Sequence, residues 1–483
     1  MVGDQLSATH SHLNTLGYRF MLPTKFSSGS NKTFAQYLQS EAVYVDKTKF
    51  ACELGKRRSS IMLHRPHGMG KSLFVSTLKH LFAKGTVGTE GLYCHEHWPE
   101  QKCYFVFHLS WSEINASSLE SFRQGVNEQL QPYAELFGVS LEERRYIGWN
   151  FENLVRQCEK KLADENFLAK HPELTDGDRP LCNKIVLMVD DYDAPLNQNL
   201  DNPALFKELK DTVRSFFCTV KGMCLRFVLI TGVRGIALCD MFGGANQFHD
   251  ISLYRRYATS CGYTLEEIES YFEPQIKHAQ EVLNIDHDEF LSKLSYYLDG
   301  AIFSNEPDVN VHQNKVFNPA VISSFLNNPQ QGFEQPWPKP RLPYSFLVKL
   351  MQEAAEKVYW RLFSNAYPDL RNNDQAQSKP LDDLMASMCS ITLLDQTYDQ
   401  SCNGDIKLLL VDIDLLKDKL YSVKEIYCDT AVTLLFQEGY LTIKAIKYEN
   451  AYLGIANKNV AKLLAAFELN NSNNVGQEKE FEG

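Results

Sequence analysis

The stretch that decides the fold is "SSIMLHRPHGMGKSLFVSTLKHLF", residues 59–82. Its apolar run over 59–66 predicts a strand, and "KSLFVSTLKHLFAKG" has apolar residues at helical spacing and stops at a glycine. Between the two, Gly68 and Gly70 frame a short turn, and Lys71 and Ser72 follow at once. A strand, a glycine turn and a helix in this order are typical of a phosphate-binding loop.

Each part of such a loop has a chemical task. Glycines let successive backbone N–H groups turn toward phosphate, a lysine neutralises the terminal phosphates, and a serine hydroxyl binds Mg²⁺. Arg65 stands where the usual pattern has its first glycine, so a plain strand-to-helix turn remains the alternative at this point. The residues expected to bind phosphate are Gly68, Met69, Gly70, Lys71, Ser72 and Leu73.

Three more apolar runs predict strands, at 102–111, 184–193 and 225–234. None of them alternates with polar residues, which favours strands buried on both faces of a parallel sheet. The segments between them are long enough for crossover helices. The sequence therefore predicts an α/β fold.

Two acids stand at the end of the third run, "KIVLMVDDYDAPL". Ligands of open α/β sheets bind at the carboxyl ends of the strands, where Asp190 and Asp191 are expected. Asp190 is predicted to hold Mg²⁺, and Asp191 to orient or deprotonate the attacking water, a place usually taken by glutamate. The alternative is a turn or a helix N-cap, since Asp is common at strand ends.

The fourth run continues into "LITGVRGIALCDMFGGANQFHDISL". Thr231 ends the predicted strand, where many ATPases keep a polar residue that senses the γ-phosphate, and Arg234 follows just beyond it. Arginine is suited to bidentate phosphate contacts. Thr231 and Arg234 are candidate sensors, and the alternative for Arg234 is a surface arginine on a glycine-rich loop.

Taken together, these segments resemble the AAA-ATPase-like family, whose members are often fused to a PD-(D/E)XK nuclease domain. The resemblance rests on "YVDKT" at 44–48, "RPHGMGKSL" at 65–73, "VDDYDAPL" at 189–196 and "TGVRGIALCDMFGGANQFHDISL" at 231–253. Later matches include "CGYTLEEIE", "YYLDGAIF", "VFNPAVISSFL", "EGYLTI" and "LGIANKNV". The family's own loop begins Arg-Pro, so the resemblance accounts for Arg65. Asp191 departs from the family's usual DEYD, and no nuclease motif follows the ATPase part.

The resemblance covers about 34–466 and implies an additional-strand P-loop ATPase core that uses ATP and Mg²⁺. Thr264 and Glu267 have the form of a capping box that opens the helical region. A helix near 425–438 and a hairpin through "GYLTIKAIKYENAYLGIA" predict a small winged-helix-like module. The predicted divisions are an N-terminal extension (1–33), the ATPase core (34–260), a helical region (261–328), a Pro-rich linker or loop (329–343), a helical and winged-helix-like domain (344–466) and a disordered tail (467–483).

Composition narrows the class of function. The net charge of −11 argues against a surface built mainly for nucleic acid. The 12 cysteines form no CxxC pair, which fits reduced thiols and predicts a cytoplasmic protein without a membrane span. The tight group Cys94, His95 and His97 is a weak candidate metal site. Secretion as an effector stays an alternative.

The leading functional hypothesis is an ATP-hydrolysing molecular switch. An adaptor that binds nucleotide but hydrolyses it weakly is the alternative, because Asp191 and the loop residues His67 and Gly68 depart from the family pattern. A DNA-associated ATPase is the third hypothesis, ranked lowest because 422–439 carries one lysine and three acids. A protein partner or a homo-oligomer is left open.

Overall fold

The computed structural model describes residues 32–40, 42–142, 146–235, 248–306, 314–335, 409–412, 428–447, 450–460 and 463. Within these ranges the chain forms an α/β core, a helical region and a smaller C-terminal unit. The helical stretch predicted after residue 344, most of the N-terminal extension, and the tail lie outside the described residues.

The core is a five-stranded sheet in the order β2-β3-β4-β1-β5. All of its pairings are parallel. The strands are β1 (Ser60–His64), β2 (Cys103–Ser110), β3 (Leu181–Asp190), β4 (Phe227–Gly232) and β5 (Phe248–Asp250). The four predicted strands are confirmed. Strand β4 lies between β1 and β3, so the sheet has the additional strand that the family resemblance implied.

Helices cover both faces of this sheet. Before and between its strands lie α1 (Phe34–Leu38), α2 (Thr48–Gly55), α3 (Lys71–Lys84), α4 (Tyr93–His97), α5 (Leu119–Phe137), α6 (Ile147–Lys161), α7 (Glu165–Lys170), α8 (Ala194–Asn197) and α9 (Pro203–Gly222). Helix α3 ends at Gly85, which takes φ 68°, as the glycine after the helical pattern predicted.

The core explains why the strands read as unbroken apolar runs. Ile185 and Leu187 of β3 join a cluster that includes the buried faces of α5, α6 and α9. Val186 and Met188 of the same strand join a second cluster, which includes the buried residues of α2 and α3. Both faces of β3 are therefore apolar, as expected for a sheet with helices on each side.

The helical region follows β5. It contains α10 (Leu265–Tyr271), α11 (Glu273–Leu283), α12 (His287–Leu298) and α13 (Pro319–Asn327), with the short strands β6 (Ala301–Ile302) and β7 (Lys315–Val316) before α13. Thr264 and Glu267 form the predicted capping box at the start of α10. Beyond α13, Pro329–Gln331 form a 3-10 turn and Phe333 packs on Phe325, so the first part of the Pro-rich segment is attached to this region.

The C-terminal unit combines α14 (Cys428–Gln437) with a three-stranded sheet in the order β8-β10-β9. Its strands are β8 (Leu409–Asp412), β9 (Leu441–Lys447) and β10 (Asn450–Ile455), and β9 and β10 pair as an antiparallel hairpin. The predicted helix and hairpin are confirmed. A winged-helix class for the whole unit stays a prediction.

Candidate nucleotide site

The phosphate loop joins β1 to α3 and has the backbone that its glycines allow. Gly68 has φ 76° and Gly70 has φ 87°, values that residues with a side chain rarely adopt. Helix α3 begins directly after Gly70, at Lys71. The loop predicted from the sequence therefore forms a turn whose last residues are also the first residues of a helix, where the helix dipole favours an anion.

The carbonyl groups of this loop all have donors. Lys71 Nζ donates to the carbonyls of Arg65 (3.0 Å) and Pro66 (3.2 Å). The next three carbonyls are bound from outside the loop. The bonds are Asn318 Nδ2 to His67 O (2.7 Å), Ala320 N to Gly68 O (3.3 Å) and Gly262 N to Met69 O (2.9 Å).

The peptide N–H groups of the same turn point the other way. Every peptide bond in the described residues is trans, so the N–H of each loop peptide lies opposite its carbonyl. Since the carbonyls of 67–69 face Gly262, Asn318 and Ala320, the N–H groups of Gly68, Met69 and Gly70 face away from them. These three N–H groups have no acceptor among the described residues. They are a set of donors suited to an anion.

A cluster of hydroxyl and carboxylate groups lies next to the loop. Asp190, at the end of β3, accepts a hydrogen bond from the hydroxyl of Thr231, and the hydroxyl of Ser72 is near enough to lower the pKa of Asp190. Asp190 is 3% exposed and Thr231 is fully buried. The structure thus brings together three residues that the sequence predicted from three separate segments, and a serine hydroxyl and a carboxylate are ligands that Mg²⁺ accepts.

Two buried carboxylates stand side by side at this point, because Asp191 is also buried. Burial is the main cause that raises the pKa of Asp190, and the charge of Asp191 raises it further. The hydroxyls of Ser72 and Thr231 and the charge of Lys71 oppose that rise. A divalent cation would offset the cost of keeping both carboxylates ionised, so the electrostatics of the cluster fit Mg²⁺.

Asp191 has an unusual backbone. Its φ is 51°, and among the described residues only Asp191 and Asn284 have a positive φ without being glycine. Asp tolerates this region better than most residues, but the conformation still costs free energy. Strained backbone of this kind clusters at functional sites.

Arg65 does not face the phosphate side of the loop. Its guanidinium donates to the carbonyls of Ser252 (2.7 Å) and Tyr257 (2.8 Å) and lies 4.3 Å from the centroid of the Phe303 ring. The side chain is 1% exposed. Arg65 therefore connects the end of β1 to the segment after β5. An arginine in place of the usual first glycine thus makes a structural contact in this protein.

Arg234 is also held by protein groups. Its Nε donates to Glu438 of the C-terminal unit (2.7 Å), and its Nη1 donates to Asn197 (2.9 Å). The backbone N–H of Arg234 donates to the buried Asp193 (2.8 Å). Arg234 is fully buried, so a surface arginine, the alternative considered from the sequence, is wrong. Its candidate role as a phosphate sensor stays a prediction.

Sequence reasoning missed several of these partners, among them Asp193, Asn197, Glu438 and Asn318. Asp193 was visible as the third acid of "DDYD", and Asn318 lies in the quoted match "VFNPAVISSFL". Nothing in the sequence singled out Glu438, because it is one acid at the end of an amphipathic helix. Only its contact with Arg234 in the folded chain distinguishes it from other acids.

A mostly apolar pocket opens beside Gly70 and the first turn of α3. The aromatic residues in its walls are Tyr37, Tyr44, Phe74 and Tyr263, and Val45 and Pro319 add apolar surface. Because it adjoins the candidate phosphate loop, this pocket is a candidate place for a nucleoside.

The "YVDKT" segment builds one wall of this pocket. Asp46 accepts from the N–H of Thr48 (2.8 Å) and from the N–H of Tyr93 (2.8 Å), which anchors the start of α2. Lys47 is bound to Glu267 at 2.6 Å. Burial lowers the pKa of Lys47, and Glu267 opposes that effect. The motif therefore holds Tyr44 and Val45 in place.

Comparison with known proteins gives a family match for the part of the chain that carries this candidate site. A model of the AAA-ATPase-like family, described as "Predicted AAA-ATPase", matches residues 30–242. Residues 30–242, somewhat less than half of the chain, are thus similar to this family. The match contains the phosphate loop, both acids of β3 and the two candidate sensors, so the family resemblance read from the sequence is confirmed. It supports an ATP-binding ATPase.

One curated relative of this chain is described as an "Uncharacterized protein in vnfD 5'region" from Azotobacter chroococcum mcd 1. It is 29% identical over 248 residues, which are 51% of this chain and 44% of that protein. The match thus spans less than half of the relative's length. Its printed name states no activity.

Solved structures with some similarity include a DNA replication initiation factor, with 11% identity and a TM-score of 0.23 over 74% of this chain and 82% of that chain. A Drosophila ORC bound to DNA has 11% identity and a TM-score of 0.28, over 86% and 94%. The Aeropyrum pernix ORC2 protein has 12% identity and a TM-score of 0.24, over 87% and 93%. Scores this low support no conclusion about this chain.

Two other expectations concern metals and membranes. In the part of the chain that the structure describes, no three His, Cys, Asp or Glu side chains are placed to hold a metal ion together, and Cys94, His95 and His97 are no exception. Within the same residues, no helix has the length and apolar character needed to cross a bilayer.

Proposed function

We propose that this chain binds ATP together with Mg²⁺ at the loop between β1 and α3 and hydrolyses ATP as a molecular switch. One observation carries the proposal. The carbonyls of His67, Gly68 and Met69 are bound by Asn318, Ala320 and Gly262, and the N–H groups of Gly68, Met69 and Gly70 have no acceptor among the described residues. A plain strand-to-helix turn needs no such arrangement, because it has no anion to accept from three adjacent N–H groups.

The residues divide the work as follows. Gly68 to Gly70 bind phosphate through the backbone, and Lys71 exchanges its loop carbonyls for phosphate oxygens. Ser72 and Asp190 hold Mg²⁺, which neutralises charge on the β- and γ-phosphates. Thr231 keeps Asp190 oriented, and the pocket lined by Tyr44 and Tyr263 is the proposed place for the nucleoside.

Hydrolysis requires a base that positions water, and Asp191 is the candidate. Its carboxylate lies next to the Mg²⁺ ligand and its backbone is strained, both of which support a role in the reaction. Asp191 is one methylene shorter than the glutamate that usually stands there. The same fact favours the second candidate function, an adaptor that binds ATP and turns it over slowly.

The test is Lys71→Ala, with Lys84→Ala as a matched control at the other end of α3, where Lys84 pairs with Asp176. We expect Lys71→Ala to weaken Mg–ATP binding at least tenfold in a calorimetric titration, because the phosphates lose their nearest cation. Lys84→Ala should bind as the unaltered chain does. Equal affinity in both variants would refute the site.

Phosphate release separates the two functions. A switch releases phosphate from ATP in a Mg²⁺-dependent way, whereas an adaptor is stabilised by ATP against heat and releases none. The assay compares the unaltered chain with Lys71→Ala at equal protein concentration, so that a contaminating ATPase is recognised by its presence in both samples.

A further inference from the structure

The loop carbonyl of His67 has a donor that is distant in the sequence. Asn318 Nδ2 donates to it at 2.7 Å, and Asn318 is 4% exposed. Asn318 lies at the start of α13 in the helical region, outside the core that carries the loop. The contact therefore connects two regions of the chain at the phosphate side of the sheet.

The same side chain explains why residue 68 is a glycine. A Cβ placed on Gly68 would lie 2.7 Å from Asn318 Oδ1 and 2.9 Å from the Cβ of Ala320. Atoms at such distances overlap, so the helical region approaches the loop as closely as a glycine allows. The loop and the start of α13 are fitted to each other.

The bond has a direct effect on the donors of the loop. The carbonyl of His67 and the N–H of Gly68 belong to one planar trans peptide and point in opposite directions. When Asn318 holds the carbonyl, the N–H of Gly68 is turned to the other side, where the other unpaired N–H groups lie. Without that bond the peptide loses a restraint on its orientation, and binding phosphate then costs more entropy of ordering it.

We propose that Asn318 is a positioning residue of the nucleotide site, which orients the peptide between His67 and Gly68 for phosphate binding. The inference rests on the proposed ATP site. It adds that the affinity for the phosphates depends on the helical region, through one side chain that binds the carbonyl side of the loop.

A purely structural role must be separated from this one. Asn318 also caps α13, because its Oδ1 accepts from the N–H of Ala320 at 3.0 Å. Asn318→Ser keeps a capping hydroxyl but is too short to reach His67 O at the same time, while Asn318→Ala loses both contacts. Both variants thus lose the hydrogen bond to His67 O, but only Asn318→Ala also loses the cap of α13.

The experiment measures the dissociation constant of Mg–ATP by calorimetry and the melting temperature of the ligand-free chain. Both variants are expected to bind Mg–ATP about tenfold more weakly, the effect of losing one well-placed hydrogen bond and its preorganisation. Asn318→Ser should melt near the unaltered chain, and Asn318→Ala should melt lower.

Asn457 offers a matched control. It is 3% exposed, its Nδ2 donates to Asp299 O at 3.0 Å, and its Oδ1 accepts from Val460 N at 3.0 Å. Asn457 makes the same pair of bonds as Asn318 but away from the loop. Both Asn457→Ala and Asn457→Ser should therefore leave the ATP affinity within about twofold of the unaltered chain. Their melting temperatures should follow those of the matching Asn318 variants, with the alanine variant the lower of the two.

Two results would overturn the positioning role while the ATP site stands. One is an unchanged affinity in both variants of Asn318, and the other is an affinity that follows the melting temperature, with Asn318→Ser binding normally. An unaltered chain that binds no Mg–ATP refutes the proposed function itself, and the positioning role with it.

Discussion

The buried pair between Arg234 and Glu438 is predicted to hold the C-terminal unit on the ATPase core. The Arg234 side chain is 0% exposed and that of Glu438 is 3% exposed. Two guanidinium nitrogens lie 2.7 Å and 2.6 Å from the same carboxylate oxygen. Gly439, the next residue, approaches Pro66 of the phosphate loop, so this contact also lies beside the site.

Glu438→Leu removes the carboxylate and leaves a buried guanidinium with Asn197 as its remaining side-chain acceptor. Breaking a buried ion pair from one side typically costs about 3–5 kcal/mol, since the other charge stays desolvated. A double variant, Arg234→Met with Glu438→Leu, removes both charges and should recover most of that loss. The double variant separates the cost of an unpaired charge from the value of the pair.

Hydrogen exchange followed by mass spectrometry measures how far each variant destabilises the C-terminal unit locally. For peptides covering 434–447, a loss of about 3–5 kcal/mol corresponds to exchange that is roughly a hundredfold to five-thousandfold faster, up to the limit set by the unit's own stability. Peptides of β2 serve as the internal reference and should not change. Acceleration below about fivefold in the single variant, or equal acceleration in the double variant, would refute the reasoning.

Three further outcomes are expected. Asp191→Asn, which tolerates the left-handed backbone, should bind Mg–ATP normally and release phosphate about 10²-fold more slowly; normal turnover would remove Asp191 from catalysis. Thr231→Val should raise the Mg²⁺ concentration needed for ATP binding about tenfold, because Asp190 loses a buried donor; an unchanged Mg²⁺ titration would argue against that link. Burial and, to a smaller extent, the charge of Lys79 lower the pKa of His108 to about 4. Between about pH 6.5 and pH 4 the unfolded chain therefore binds a proton at this residue that the folded chain does not bind. The free energy of unfolding falls as the pH falls through this range. His108→Gln should melt with a smaller difference between pH 7 and pH 5 than the unaltered chain or the exposed-residue control His287→Gln, and an equal difference would contradict this account.

Much of the fold was predictable because its signals are local. The strand β1, the turn at Gly68 and Gly70 and the helix α3 are contiguous, and each is encoded by hydrophobic period or by turn chemistry. The acids of β3 follow an unbroken apolar run, which arises because both faces of this strand are buried under helices. Parallel strands end at one edge, so the meeting of Asp190 with Ser72 and Thr231 followed from the topology.

The sequence by itself thus determined the α/β class, the phosphate loop and the acids at its side. Tertiary structure alone decided which groups Arg65, Arg234 and Asn318 contact. Their partners lie far away in the chain, with Arg65 bound to a carbonyl 187 residues later, Arg234 to a carboxylate 204 residues later, and Asn318 to a carbonyl 251 residues earlier. Local sequence patterns cannot predict such contacts, because the free energy of burying a polar group depends on which distant partner the fold places beside it.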